Sequence, residues 1–182
     1  MQFFFKVIKS VANPILLSTI FVSTMVSCKS SKPTASGNNK PQENKVVKVD
    51  KSREEKTHQV IASAKSYLGT KYKYGGTNKS GIDCSGLICN SFKTINIALP
   101  RTSTAQSEYG KTVKLADIKE GDLVFFSDHK GGKKIDHVGL VTEVKNKSIK
   151  FIHSTTKMGV IEDDLFSDYY QPRFIKAVRI IN

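Results

Sequence analysis

The hydrophobic period of this chain changes once, near Gly110, and that change decides which folds are open to it. Before it, Val60, Ile61, Ala64, Tyr67 and Leu68 recur at helical spacing until Gly69 stops the run, and Leu87, Ile88, Phe92 and Ile95 repeat at three and four. "SREE", from Ser52, offers a capping box for the first helix, and Ser103 with Gln106 offers another for a short third helix ended by Gly110. After it, "GDLVFF", "DHVGLVTEV", "IKFIHST" and "AVRII" are short β-branched or aromatic runs, with "EVKNKSI" reading as a hairpin turn. Helices followed by a strand meander predict an α+β fold, its N-terminal helices packed on one face of an antiparallel sheet. With 182 residues there is room for one such core. Neither an internal repeat nor a dinucleotide-binding or Walker glycine motif is present.

The first segment, "MQFFFKVIKSVANPILLSTIFVSTMVSC", carries Lys6 and Lys9, no acid, and an apolar run from about Ile15 to Val26. That run falls short of the roughly 20 apolar residues a membrane-spanning helix needs. It predicts an export signal over residues 1–28. "MVSC" resembles the lipobox of bacterial lipoproteins, with Met25 where leucine is commonest, and this implies lipidation of Cys28 and a membrane anchor. An ordinary secretory signal with Cys28 incidental stays open. Residues 29–51, rich in Ser, Lys, Asn and Pro, predict a disordered basic tether, leaving 52–182 as the folded domain.

The chain has 29 basic and 16 acidic residues, a net charge of +13. Such a charge favours polyanions, but an exported chain meets lipid headgroups and cell-wall anions before nucleic acid, and a solvated lysine surface explains the charge equally well. No nucleic-acid partner is expected.

Two cysteines remain in the folded part, Cys84 and Cys89, about 140° apart around a helix and badly placed for a disulfide with each other. "GIDCSGLICNSF" puts Cys84 at a helix start, where unpaired N–H groups and the helix dipole favour a thiolate. The same N–H groups suit an oxyanion, and Gly81 and Gly86 leave room for a close approach. Of four histidines, His58 falls on the polar side of the first helix and His129 in the loop "SDHKGGKK". His137 and His153 lie in apolar strand runs, where burial needs a partner. Together they make a Cys-His-His constellation, with His137 as base and His153 as its orienting group. A buried histidine is more often a hydrogen-bonded structural residue, and spacing alone leaves both readings open.

"YKYGGTNKSGIDCSGLICNSF", "LPRTSTAQ", "GDLVFF", "DHVGLV" and "FIHST" occur in this order over about Thr57–Asn182, and together they resemble the NlpC/P60 family of cell-wall peptidases. The resemblance implies a papain-like core with Cys84 as nucleophile, His137 as base and His153 as third polar residue. It places Tyr72 beside the nucleophile, where its hydroxyl can help the oxyanion. Asp83 and Ser85 match a pair that binds the free amine of L-Ala in some relatives, and Arg101 matches an arginine with either a loop-fixing or a substrate role. The segment from His137 to His153 is longer than usual, which predicts a longer hairpin; Cys89 fits a small core side chain on the far face of the helix.

The implied activity is hydrolysis of peptidoglycan stem peptides by a thiol enzyme needing no metal or cofactor. The resemblance is greatest to outer-membrane murein endopeptidase lipoproteins, which implies cleavage of D-Ala–diaminopimelate cross-links. The wider family implies the γ-D-Glu–diaminopimelate bond instead. Lys29 after Cys28 agrees with sorting to the outer membrane, facing the periplasm, and the domain is expected to act as a monomer. Three rivals belong to other classes: a silent wall-binding lipoprotein, a zinc site on Cys84, His137 and His153, and a permuted Cys-His acyltransferase.

Overall fold

The structure is a computed structural model and describes residues 43–182, with side chains from Asp50 onward. The predicted export segment, Cys28 and the first part of the predicted tether lie outside the described residues. Among the described residues no helix is long and apolar enough to cross a membrane.

The first helix, α1, runs Glu43–Lys65. It begins well ahead of the predicted Ser52 cap, so the tether is already helical from Glu43. "ENKVVKVDK" contains no Gly or Pro to stop a helix, and Asp50 pairs one turn on with Arg53 at 3.8 Å. "SREE" therefore lies inside α1. Val60 and Ala64, one turn apart and fully buried, dock α1 on the core.

A small hairpin, β1 (Thr77–Asn78) and β2 (Gly81–Ile82), leads into α2 (Cys84–Lys93). Asp83 caps α2, its Oδ1 accepting the Gly86 N–H at 2.7 Å. The short α3 (Ser103–Gln106) is capped by Thr102, which accepts from the Ala105 N–H, and not by the expected Ser103–Gln106 box. Gln106 is buried, and its amide serves the α2 start instead.

Six strands follow: β3 (Lys111–Val113), β4 (Leu123–Phe126), β5 (His137–Lys145), β6 (Ser148–Thr155), β7 (Gly159–Asp164) and β8 (Phe174–Arg179). They form one antiparallel sheet in the order β3-β8-β4-β5-β6-β7. The predicted β5–β6 hairpin is present and long, with a bulge between Val141 and Glu143. One core, built from Val60, Ile82, Leu87, Phe92, Phe125, Leu140 and Ile152 among others, joins the helices to the sheet. A second core around Val124, Phe126, Val141 and Phe151 is covered by Leu165, Phe166, Tyr170 and Phe174, which lie on the chain between β7 and β8 and at the start of β8. That connecting segment shapes one wall of the site.

Candidate active site

Cys84 is the first residue of α2 and His137 the first residue of β5, and both line one cavity of about 280 Å³. Two ties hold the helix start, one from the sheet and one from α3. Ser154, next to His153, donates its hydroxyl to Ile82 O at 2.8 Å, two residues ahead of Cys84. Gln106 Nε2 donates to Ser85 O at 3.1 Å and to Pro100 O at 2.8 Å. Gly86 is needed here for close approach: a Cβ would sit 2.4 Å from Gly76 O. The glycine thus admits the neighbouring loop backbone, a close approach of the kind expected of it.

His137, His153 and Asp163 form a diagonal across β5, β6 and β7. Leu140 pairs with Ile152, which puts Gly139 beside His153 and leaves His137 two residues along the same face. His153 pairs with Ile161, and Asp163 stands two residues beyond it, again on that face. His137 Nε2 lies 2.7 Å from His153 Nδ1, and His153 Nε2 lies 3.0 Å from Asp163 Oδ2. His153 is fully buried.

This chain fixes the tautomers. The Asp163 carboxylate only accepts, so His153 carries its proton on Nε2 and accepts at Nδ1. His137 must then donate from Nε2, which leaves the lone pair of its Nδ1 unprotonated. That nitrogen is free to accept a proton. Both nitrogens of His153 are engaged, so a zinc ion sharing Cys84, His137 and His153 would have to displace one of these bonds.

Burial pushes the His137 pKa down to about 3, helped by the adjacent His153. Burial likewise pushes the Cys84 thiol up, and the charge of Asp83 adds to this; N–H groups of Val138, Ser85 and Cys84 itself pull it down without winning. The helix start was expected to lower the thiol pKa. Desolvation outweighs it, which favours the neutral thiol beside a neutral imidazole.

A proton-linkage effect follows. Below pH 6.5 the unfolded chain protonates His137 while the folded chain resists down to about pH 3, so stability is lost as pH falls through this window. The slope is up to about 1.4 kcal/mol per pH unit for one proton. Thermal melts of His137→Gln should therefore lose less stability than wild type between pH 6.5 and 4; parallel curves would remove His137 from this role.

Gly139 is a second position closed to side chains. A Cβ there would lie 2.3 Å from Phe151 Cδ2, and the Phe151 ring centroid is 4.7 Å from that of His153. Gly139→Ala should displace His153 through Phe151 and lower kcat by about 10-fold or more, since small misplacements of catalytic groups are costly. Steady-state turnover at matched folded fraction measures it.

The expected supporting residues gather around the nucleophile. Tyr72 bridges to Ile82 and lines the cavity beside Cys84; burial raises its pKa, so its hydroxyl is a donor. Asp83 and Ser85 line a second cavity, about 450 Å³, on the other side of Cys84. Arg101 grips them: Nη1 donates to Asp83 Oδ1 at 2.9 Å and to Ser85 Oγ at 2.8 Å, and Nη2 to Asp83 Oδ2 at 2.6 Å. Asp83 Oδ2 also accepts the Gly75 N–H at 2.8 Å. Of the two roles left open for Arg101, these bonds describe a clamp on the glycine loop and helix start. Arg101 and the two N–H bonds lower the Asp83 pKa against the opposing effect of burial, the largest single influence on it.

Cys89 departs from expectation, since its thiol faces Pro100 O at 3.3 Å and accepts from Gln106 Nε2 at 3.3 Å in a polar niche. His58 and His129 are exposed, as expected. Asp163 is the functional residue that sequence reasoning missed, along with Ser154 and Gln106. Counting back from the "TKMG" turn pairs His153 with Ile161 and would have found the carboxylate.

The sequence profile of the NlpC/P60 family matches residues 69–179, well over half the chain. A Haemophilus influenzae protein named probable endopeptidase is 36% identical over 63% of this chain and 68% of its own length. The Escherichia coli murein DD-endopeptidase MepS/murein LD-carboxypeptidase is 34% identical over 77% of this chain and 69% of its own. A Bacillus subtilis γ-D-glutamyl-L-lysine dipeptidyl-peptidase is 41% identical over a shorter stretch, 44% of this chain and 27% of that protein. Among solved structures, an NlpC/P60 family protein from Bacillus cereus superposes with TM-score 0.63 at 29% identity, over 69% of this chain. This chain spans about 40% of that longer one. With the profile, the relatives and the fold in agreement, the chain belongs to the NlpC/P60 family and is a peptidase acting on peptidoglycan.

Proposed function

We propose that this protein is a murein D,D-endopeptidase that hydrolyses the D-Ala–diaminopimelate cross-link of peptidoglycan. The observation that carries the reading is the occupied Asp83: its carboxylate is neutralised by Arg101 and bonded to the Gly75 and Gly86 amides. A carboxylate so engaged is poorly available to a free L-Ala amine, which favours a cut inside cross-linked chains. The likeness to the E. coli murein DD-endopeptidase, over most of both chains, supports the same bond. A second reading, cleavage after γ-D-Glu, is favoured by the B. subtilis relative, whose printed name describes that linkage.

Each step of the proposed reaction has a residue to carry it. Cys84 loses its proton to His137 Nδ1 and its sulfur adds to the D-Ala carbonyl carbon. The amide N–H groups at the α2 start and the Tyr72 hydroxyl hold the oxyanion. His137 then protonates the departing amine as the C–N bond breaks, leaving an acyl-thioester on Cys84. Water, deprotonated by the same imidazole, releases the acid and restores the thiol. His153 and Asp163 steady the imidazolium throughout.

Exported and lipidated at Cys28, the enzyme would work as a monomer on the periplasmic side of the outer membrane, with the segment after Cys28 giving it reach. Product masses from a purified cross-linked dimer test the reading, because the dimer contains both bonds. Two tetrapeptide monomers are the expected products, and fragments ending at γ-D-Glu would move the cut to the second reading.

A further inference from the structure

We propose that Arg173 forms a carboxylate-binding subsite on the leaving-group side of the cleft, reading the carboxylate on the carbon that bears the released amine. The assignment rests on the cross-link reading above.

Direction comes first. His137 delivers its proton to the departing nitrogen, so the leaving half of the substrate lies on the His137 side of Cys84. His137 lines the cavity of about 280 Å³, whereas Asp83, Ser85 and Arg101 line the other, which takes the acyl half. Arg173 lines the His137 cavity. A space near the lower end of small-ligand sites, about 300 Å³, keeps a residue seated there close to every wall.

Arg173 is held as a binding group is held. It belongs to the turn Gln171–Arg173, which ends where β8 begins. Its guanidinium lies 3.9 Å from the centroid of the Tyr169 ring. Nη1 donates to Tyr169 O at 2.7 Å and Nε to Asp128 O at 3.4 Å. The turn is tied to the β4–β5 loop: Ser127 N donates to Arg173 O at 3.0 Å and Gly131 N to Pro172 O at 2.9 Å. Two backbone carbonyls and one ring thus fix the guanidinium plane and leave Nη2 without a protein acceptor among the described bonds.

Charge bookkeeping around the cavity points the same way. Asp128 is hydrogen-bonded to His129, Asp136 pairs with Lys134 at 3.3 Å, and Asp163 accepts from His153. On the far side Arg101 is taken up by Asp83. Among the described residues, Arg173 is the cleft cation without a carboxylate partner. A planar guanidinium with a free edge selects a carboxylate over an amide of the same shape. In a D-Ala–diaminopimelate cross-link, the carbon bearing the scissile nitrogen also carries a carboxylate, free unless it is amidated.

The test uses the full-length chain and two cross-linked muropeptide dimers that differ only in whether this carboxylate is free or amidated. Wild type should prefer the free form by roughly 10- to 100-fold in kcat/KM, the range of a hydrogen bond to a charged group. Arg173→Gln should lose that preference by slowing much more on the free form than on the amidated dimer. Arg173→Lys should restore part of it. A preference retained in Arg173→Gln, or an equal loss on both dimers as a structural defect would give, overturns the subsite. Wild type that leaves both dimers intact overturns the cross-link reading, and the assignment falls with it.

Discussion

Full-length protein carrying Cys84→Ala should fold and bind cross-linked muropeptides while losing turnover by roughly 10⁴-fold or more. The nearby hydroxyls do not replace the thiol: Ser154 donates to Ile82 O and Ser85 is held by Arg101. Binding should survive because the cavity walls, Tyr72, Tyr170 and Arg173 among them, are untouched. Turnover of purified dimers, calorimetric binding of the uncleaved dimer and a thermal melt separate the three effects. Loss of binding or of folding in step with activity would mean that Cys84 is structural.

Asp163→Asn should lower kcat by about 10²- to 10⁴-fold with little change in fold, through the tautomers of the histidine pair. An asparagine amide turned toward His153 donates, which strips the proton from His153 Nε2 and places it on Nδ1. His153 then donates to His137 Nε2, and the remaining proton of His137 is forced onto Nδ1, the atom that must accept from Cys84. If the asparagine presents its oxygen instead, the tautomers survive but the charge that steadies the imidazolium is gone, which gives the lower end of the range. Burial of Asp163 is incomplete, so the substitution is tolerated sterically. A kcat near wild type would show that the carboxylate does not act through His153.

The parts of this site that were legible are those with a local signature. "GIDCSGLICNSF" announces a helix start at Cys84, and His137 and His153 stood out as polar residues in apolar strands. Asp163 was illegible because β7, "GVIEDD", carries acids on half of its length and has no alternating apolar pattern, although its register follows from the turn before it. The direction of the thiol pKa went the wrong way for a related reason: helix position is written in sequence, but burial depends on the packed cleft. Arg101 kept two readings until Asp83 was seen to consume it. Helix ends misled in both helices that relied on a capping box, since a Ser with Glu or Gln three residues on is as much at home inside α1, or one residue into α3, as at a cap.

The most direct measurement is hydrolysis of cross-linked dimers in the presence of hydroxylamine, with products identified by mass and with Cys84→Ala in parallel. An acyl-thioester on Cys84 partitions between water and hydroxylamine, so a D-Ala hydroxamate should accumulate in proportion to the hydroxylamine added, from wild type alone. Acid as the only product at every hydroxylamine concentration, or continued turnover by Cys84→Ala, would contradict covalent catalysis by Cys84.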